Sequence, residues 1–198
     1  VELPDYTPVV GDLIPLLNAV SITGSFSSTH IPRPASGPTY SLENSGTLVR
    51  LRVVRTNLPT ALFRAGLLGA NAAPAPELLA ADGDGDGASN LLEYALGTDP
   101  AARSTDAAPI PETSNGRLAL RFTRDTRVGD LTLQVEAASS LAPDAWSVIA
   151  ESVRGAGWTG SANVVEGSPD GAGRATVTVT DPVASSPRFL RLRAIYQP

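Results

Sequence analysis

The stretch GRLALRFTRDTRVGDLTLQVEAA, residues 116–138, decides the fold class. Leu118, Leu120 and Phe122 alternate with Ala119 and Arg121; Leu131, Leu133 and Val135 alternate with Thr132, Gln134 and Glu136. A period of two is what a half-buried strand needs, because successive side chains leave opposite faces of the sheet. Working outward, Val177 and Val179 alternate with Thr176, Thr178 and Thr180, and FLRLRAIY (189–196) closes the chain. Trp146-Ser147-Val148-Ile149 and Asn163-Val164-Val165 supply shorter segments. About five to seven short strands split by Gly, Pro and Ser turns predict an antiparallel sandwich over residues 104–198.

Upstream, the pattern divides twice. Residues 1–57 open on a proline-punctuated extended stretch, in which Pro4, Pro8 and Pro15 forbid a long helix. SITGSF (21–26), PTYSL (38–42) and TLVRLRVVR (47–55) then read as strands, split by turns at Ser36-Gly37-Pro38 and Asn44-Ser45-Gly46. In the last strand Val49, Leu51 and Val53 share one face and Arg50 and Arg52 the other. Residues 58–103 form a connector: alanine-rich and apolar first, predicting helical turns around Ala61–Leu68, then polar. A firmer helix follows from Ser89 to Leu96, stopped by Gly97. The expected architecture is therefore mainly β: an N-terminal β region, a short helical connector and a C-terminal antiparallel β-sandwich.

The connector carries the chemistry. Asp82-Gly83-Asp84-Gly85-Asp86-Gly87-Ala88-Ser89-Asn90-Leu91-Leu92-Glu93 fits the calcium-loop pattern D-x-D-x-D-G-x5-E throughout. A hard cation takes six to eight oxygens at roughly 2.3–2.6 Å. Alternate residues of a tightly curled loop aim at one point, so Asp82, Asp84 and Asp86 converge. Gly87 permits the sharp turn that brings the Ala88 carbonyl inward, Asn90 completes the equator directly or through water, and Glu93 supplies a bidentate carboxylate. The segment before the loop, Asn71-Ala72-Ala73-Pro74-Ala75-Pro76, leaves room for a brief turn only, and the sequence holds no second loop. This predicts a structural clip in place of a sensor, since sensor loops lie between two helices and work in pairs. Asp99, in Gly97-Thr98-Asp99-Pro100, reads as a turn residue or as a further ligand.

Composition bounds the rest. Of 198 residues, 42% are hydrophobic and 18% charged, a globular balance with a weakly charged surface. A net charge of −5 argues against nucleic acid, which needs a basic stripe to displace counterions. With no cysteine there is no disulfide or thiolate metal site, and no run approaches the roughly 20 apolar residues of a membrane span. The start at Val1 suggests a processed product or a piece of a longer precursor.

The loop and helix, GDGDGASNLLEYALGTDP (83–100), resemble a segment near the C-termini of large secreted proteins of Verrucomicrobia and related bacteria. They are also similar to single dockerin-type and thrombospondin type 3 calcium loops. GRLALRFTR (116–124), LTLQVEAASSLAPDAW (131–146), VTVTDP (177–182) and PRFLRLRA (187–194) look like the small β-sandwich that follows such a loop. GDLIPLLNAVSITGSFSSTHIPRP (11–34) with GTLVRLRVV (46–54) looks like the last coils of a β-helix or a short upstream β-domain. Such tails occur behind enzymes and adhesins alike, so the resemblance implies secretion and a surface role without a reaction.

Catalysis finds little to stand on. His30 is the only histidine, and Ser27-Ser28-Thr29-His30-Ile31-Pro32 lacks a nucleophile elbow, so it reads as a loop residue. Schiff-base chemistry needs a lysine, and all 15 basic residues are arginine. GAGWTGSANVVEGSPDGAG (155–173) reads as a long hairpin tip. Trp146 reads as a core residue, whereas Trp158 reads equally as core or as a stacking platform for a sugar ring. The expectation is a non-catalytic, calcium-stabilised structural protein of the bacterial cell surface, assembling as a homo-oligomer or polymer when Val1–Val10 adds to a neighbour's sheet edge. The alternative is a carbohydrate-binding module of a secreted polysaccharide-active enzyme.

Overall fold

The computed structural model describes residues 12–24, 39–55, 57–69, 72–106, 108–184 and 187–197. The segment Val1–Val10, the Ser36-Gly37-Pro38 turn and His30 lie outside the described residues, as does the end of SITGSF; its described part, Ser21–Gly24, is not strand. Among the described residues the chain is mainly β, with eleven strands in three antiparallel sheets and three short helices.

The first sheet holds β1 (Leu13–Asn18), β2 (Thr39–Asn44) and β3 (Leu48–Arg55) in the order β1-β3-β2. The β2–β3 turn forms because Asn44 Oδ1 accepts the Gly46 N–H at 2.9 Å, an Asx turn of the kind Asn favours. Val49 and Val53 are buried, while Arg50 and Arg52 both pair with Glu43 on the opposite face. Among the described residues β1 runs along one rim of this sheet, and its Leu13, Leu16 and Leu17 are exposed.

The connector holds α1 (Leu58–Arg64), α2 (Pro76–Ala80) and α3 (Asn90–Leu96). The Asn57 side chain caps α1 by accepting from Thr60 N, and the Ser89 hydroxyl caps α3 by accepting from Leu92 N. Gly97 ends α3 in the left-handed region at φ 76°, and its missing Cβ matters twice. A methyl group there would lie 3.1 Å from the Arg174 side chain and 3.2 Å from Asp125 Cβ.

The sandwich follows. One sheet comprises β4 (Ile110–Ser114), β5 (Arg117–Asp125), β9 (Asn163–Glu166) and β10 (Arg174–Thr180), ordered β4-β5-β10-β9. The other comprises β6 (Leu131–Ala138), β7 (Ser147–Val153), β8 (Thr159–Gly160) and β11 (Phe189–Tyr196), ordered β11-β6-β7-β8. The segment read as a hairpin tip thus contains two strands, β8 and β9. Register places Val177 opposite Phe122 and Val179 opposite Leu120, and in the second sheet Leu192 opposite Val135 and Ala194 opposite Leu133. These side chains form one core.

The same core takes in Leu58 and Leu62 of α1 and Tyr94, Ala95 and Leu96 of α3. α3 lies against β5 of one sheet and β11 of the other. Connector and sandwich therefore share a single apolar interior. Asp130, at the entry to β6, secures the union: it accepts from Tyr94 Oη at 2.7 Å and from the Leu58 N–H at 2.8 Å. Burial pushes this carboxyl above its ordinary value, despite those two donors.

Two polar brackets cross between the sheets. Arg124 continues the inward face of Leu120 and Phe122 and is itself buried. Its Nε and Nη2 grip Glu166 of β9 at 2.7 and 3.0 Å, and its Nη1 donates to Ser152 Oγ of β7 at 2.7 Å. Beyond the far end of β10, Asp181 is fully buried and takes two bonds from Arg188, which also donates to Ser139. Burial alone would raise the Asp181 carboxyl, but the bond from Arg188, the Val183 N–H and the charges of Arg188 and Arg117 together hold it below its ordinary value.

Trp146 is not a core residue. It sits half-buried at the start of β7 with the Arg191 guanidinium 4.1 Å above its ring, and Arg191 pairs with Glu136 across the sheet. The stack gives the indole an outer-face partner in place of the apolar interior.

Two measurements follow from these contacts. Because Asp181 has a lowered folded-state pKa, its contribution is complete above the unfolded value near 3.9 and lost as pH falls through the folded one. Arg188→Ala should cost about 3–5 kcal/mol at neutral pH by leaving a buried carboxylate unpaired. Its denaturant-measured stability should also depend less on pH below about 4, since Asp181 no longer favours the charged form. Tyr94→Phe should cost about 1–3 kcal/mol by removing a donor from the buried Asp130 carboxyl; a loss below a few tenths would mean that the pair does not hold the connector.

Candidate metal centre

The loop between α2 and α3 builds the site. Its fold is local: Asp82 Oδ1 accepts from Gly85 N at 2.7 Å and Asp86 N at 3.2 Å, while Oδ2 accepts from Gly87 N at 2.9 Å. Asp84 Oδ1 accepts from Asp86 N and Asp86 Oδ1 from Ala88 N. These side-chain bonds curl the backbone, with Gly87 at φ 101°, a conformation closed to L side chains except under strain. As a result, ligand atoms of Asp82, Asp84 and Asp86 all lie within 4.8 Å of one another, close enough to hold a metal ion.

Helix α3 brings the other two side chains predicted from the pattern. Asn90 is buried and closes the base of the loop, its N–H donating to Ala81 O and its Nδ2 to Leu78 O, both at 2.8 Å. Glu93 is fully buried and its Oε1 accepts from Thr98 Oγ1 at 3.3 Å. Ala88 is buried directly after Gly87. Asp99 stays exposed, and its Oδ1 accepts from Ala101 N, so it shapes a turn.

The electrostatics of the site are unbalanced. Burial, reinforced by the charges of Asp84 and Asp86 and, less strongly, Asp82, raises the Glu93 carboxyl to about 7. Six buried side-chain polar atoms lack a hydrogen-bond partner among the described residues, and three of them belong here: Asp84 Oδ2, Asn90 Oδ1 and Glu93 Oε2. Each is an oxygen acceptor. A buried acceptor without a donor costs about 1–3 kcal/mol, and more when charged. Three together beside an acidic cluster fit a hard cation, which supplies to all of them the positive partner that the protein does not.

Other residues hold the loop from outside the twelve-residue pattern. Ser104 N donates to Asp86 Oδ2 at 2.9 Å and Arg103 Nε donates to Asp84 O at 2.8 Å. Neither carries a signal in sequence, because their partners lie 18 and 19 positions away and are met only when the chain turns back at Asp99–Ala102.

Trp158 stands apart from this centre. It is half-buried, edge-on to Phe122 at 5.9 Å and 69°, with the Arg124 guanidinium 5.4 Å from its ring centre. It packs against the core while one side borders a shallow hollow formed with Thr159, Gly160, Ala162, Val164 and Glu166. Comparison of the chain with family models, with curated proteins and with solved structures finds no match.

Proposed function

We propose that the chain binds one calcium ion through Asp82, Asp84, Asp86, Ala88, Asn90 and Glu93, and uses it as a structural clip. The observation that carries this reading is the trio of buried, unpartnered oxygens on Asp84, Asn90 and Glu93 beside the aspartate cluster. An all-oxygen donor set rich in carboxylate suits a hard divalent cation, and the loop spacing suits calcium over the smaller magnesium. The setting supports a structural role, because the helix that carries Asn90 and Glu93 also carries Tyr94, Ala95 and Leu96 into the core. Ion binding and core packing thus act on the same seven residues of α3.

The wider reading is a non-catalytic, extracellular protein of the bacterial cell surface that assembles through β-strand contacts. It is supported by the exposed leucines of β1, which lies at the rim of its sheet among the described residues, because a strand rim with apolar side chains is a template for pairing with another chain. The glycan-module alternative would act through Trp158. The contacts of that indole with Phe122 and Arg124 give it a packing role already, so the assembly reading is preferred.

Calorimetric titration should give a single calcium site, and calcium at about a hundred times its Kd should add about 2.7 kcal/mol of stability. Glu93→Gln should weaken binding by about tenfold or more. In chelator the same variant should melt higher than the unaltered chain, since it removes a buried carboxyl from among like charges. Equal calcium affinity combined with a lower melting temperature in chelator would defeat the reading. For assembly, light scattering in millimolar calcium should show large particles that fall apart on chelation; a steady monomer in both conditions would turn attention to glycan binding.

A further inference from the structure

The twelve-residue loop does not hold its carboxylates alone. Among the described residues, Asp86 Oδ2 is engaged by the Ser104 N–H at 2.9 Å, the Asp84 carbonyl by Arg103 Nε at 2.8 Å, and Glu93 Oε1 by the Thr98 hydroxyl at 3.3 Å. All three donors sit on one strap, residues 98–104, which leaves α3 at Gly97 and turns back through the Asp99 carboxylate bond to Ala101 N. The strap is held at its start, where Thr98 N donates to Glu93 O at 3.0 Å, and at Pro100, which is buried with its carbonyl close to Gly83 of the loop.

We propose that Thr98, Arg103 and Ser104 are positioning residues for the ion, so that the binding unit runs from Asp82 to Ser104 and not from Asp82 to Glu93. The inference rests on the calcium reading above. The Ser104 N–H takes Oδ2 of Asp86 while the Ala88 N–H takes Oδ1, so the two bonds together fix the orientation of this carboxylate in the cluster. The Thr98 hydroxyl, 3.3 Å from Glu93 Oε1 and 3.4 Å from the Glu93 carbonyl, ties the carboxylate whose Oε2 is unpartnered to the start of the strap. Arg103 acts on the backbone at Asp84, and its guanidinium, close against Gly85, brings a positive charge to the loop. Partners that orient metal ligands in this way change affinity about 10–100-fold when removed.

The test uses the full chain and calcium itself as the probe. Ser104→Pro deletes the N–H, Thr98→Val deletes the hydroxyl at nearly constant shape, and Arg103→Gln deletes the charge while keeping an amide donor; Thr98→Ser is the conservative control. Calcium affinity is measured by calorimetry, and melting temperature in calcium and in chelator. Ser104→Pro and Thr98→Val should weaken binding by about tenfold or more with little change of melting temperature in chelator, and Thr98→Ser should restore affinity. Arg103→Gln, a mild change at an exposed position, keeps the idea testable if the proline variant does not fold. Affinities within twofold of the unaltered chain, or melting temperatures that fall equally in calcium and chelator, would overturn the strap's role while leaving calcium binding intact. No calcium binding by the unaltered chain would instead remove the reading on which the inference rests.

Discussion

Glu93 and Tyr94 are neighbours in sequence with opposite surroundings, and the rest of the molecule depends on that pair. The Glu93 carboxyl is buried in the field of three aspartates, while the Tyr94 ring enters the sandwich core and its hydroxyl reaches Asp130. Helix α3 has seven residues, too few to be stable by itself in water. It persists because Ser89 caps it, Gly97 terminates it, and tertiary contacts hold both faces. One face is apolar and already satisfied. The other faces negative charge and carries buried acceptors that have no hydrogen-bond partner among the described residues.

By this asymmetry an ion at that place would act on stability far from itself. A cation would neutralise the side of α3 that opposes folding, and the side that favours folding is continuous with Leu58, Phe122 and Leu133. Asp130 extends the continuity to the start of α1, since its two oxygens serve Tyr94 and Leu58 separately. The chain from loop to core thus runs through bonded neighbours and packed side chains.

The sandwich solves a different problem. Aromatic residues make up only 5% of the chain, so the interior is filled mainly by Val, Leu and Ala. Where these run out, ion pairs close the ends. Arg124 with Glu166 and Ser152 spans the sheets at one end, Arg188 with Asp181 and Ser139 at the other. Buried pairs contribute little net stability compared with apolar packing, but a broken one is costly, so each penalises any register that separates its partners. Trp158 covers the first bracket by lying against Arg124 and Phe122 at once.

Much of the local structure was legible in the sequence. The alternation at Leu118–Phe122, Leu131–Glu136 and Thr176–Thr180 marks β5, β6 and β10, and the Ser89 to Gly97 signals bound α3 closely, because side-chain direction and caps are set by neighbours in the chain. The convergence of Asp82, Asp84 and Asp86 was legible for the same reason: their backbone bonds all fall within five residues. What tertiary structure alone decided is the fate of groups whose partners are distant in sequence. Arg124 turns inward against its polarity because Glu166 waits on a strand 42 residues later. Trp146 lies on the outer face because Arg191 arrives there from β11, and Ser104 reaches Asp86 only after the chain folds back. No period or cap encodes such meetings; they exist only once packing has placed the two ends side by side.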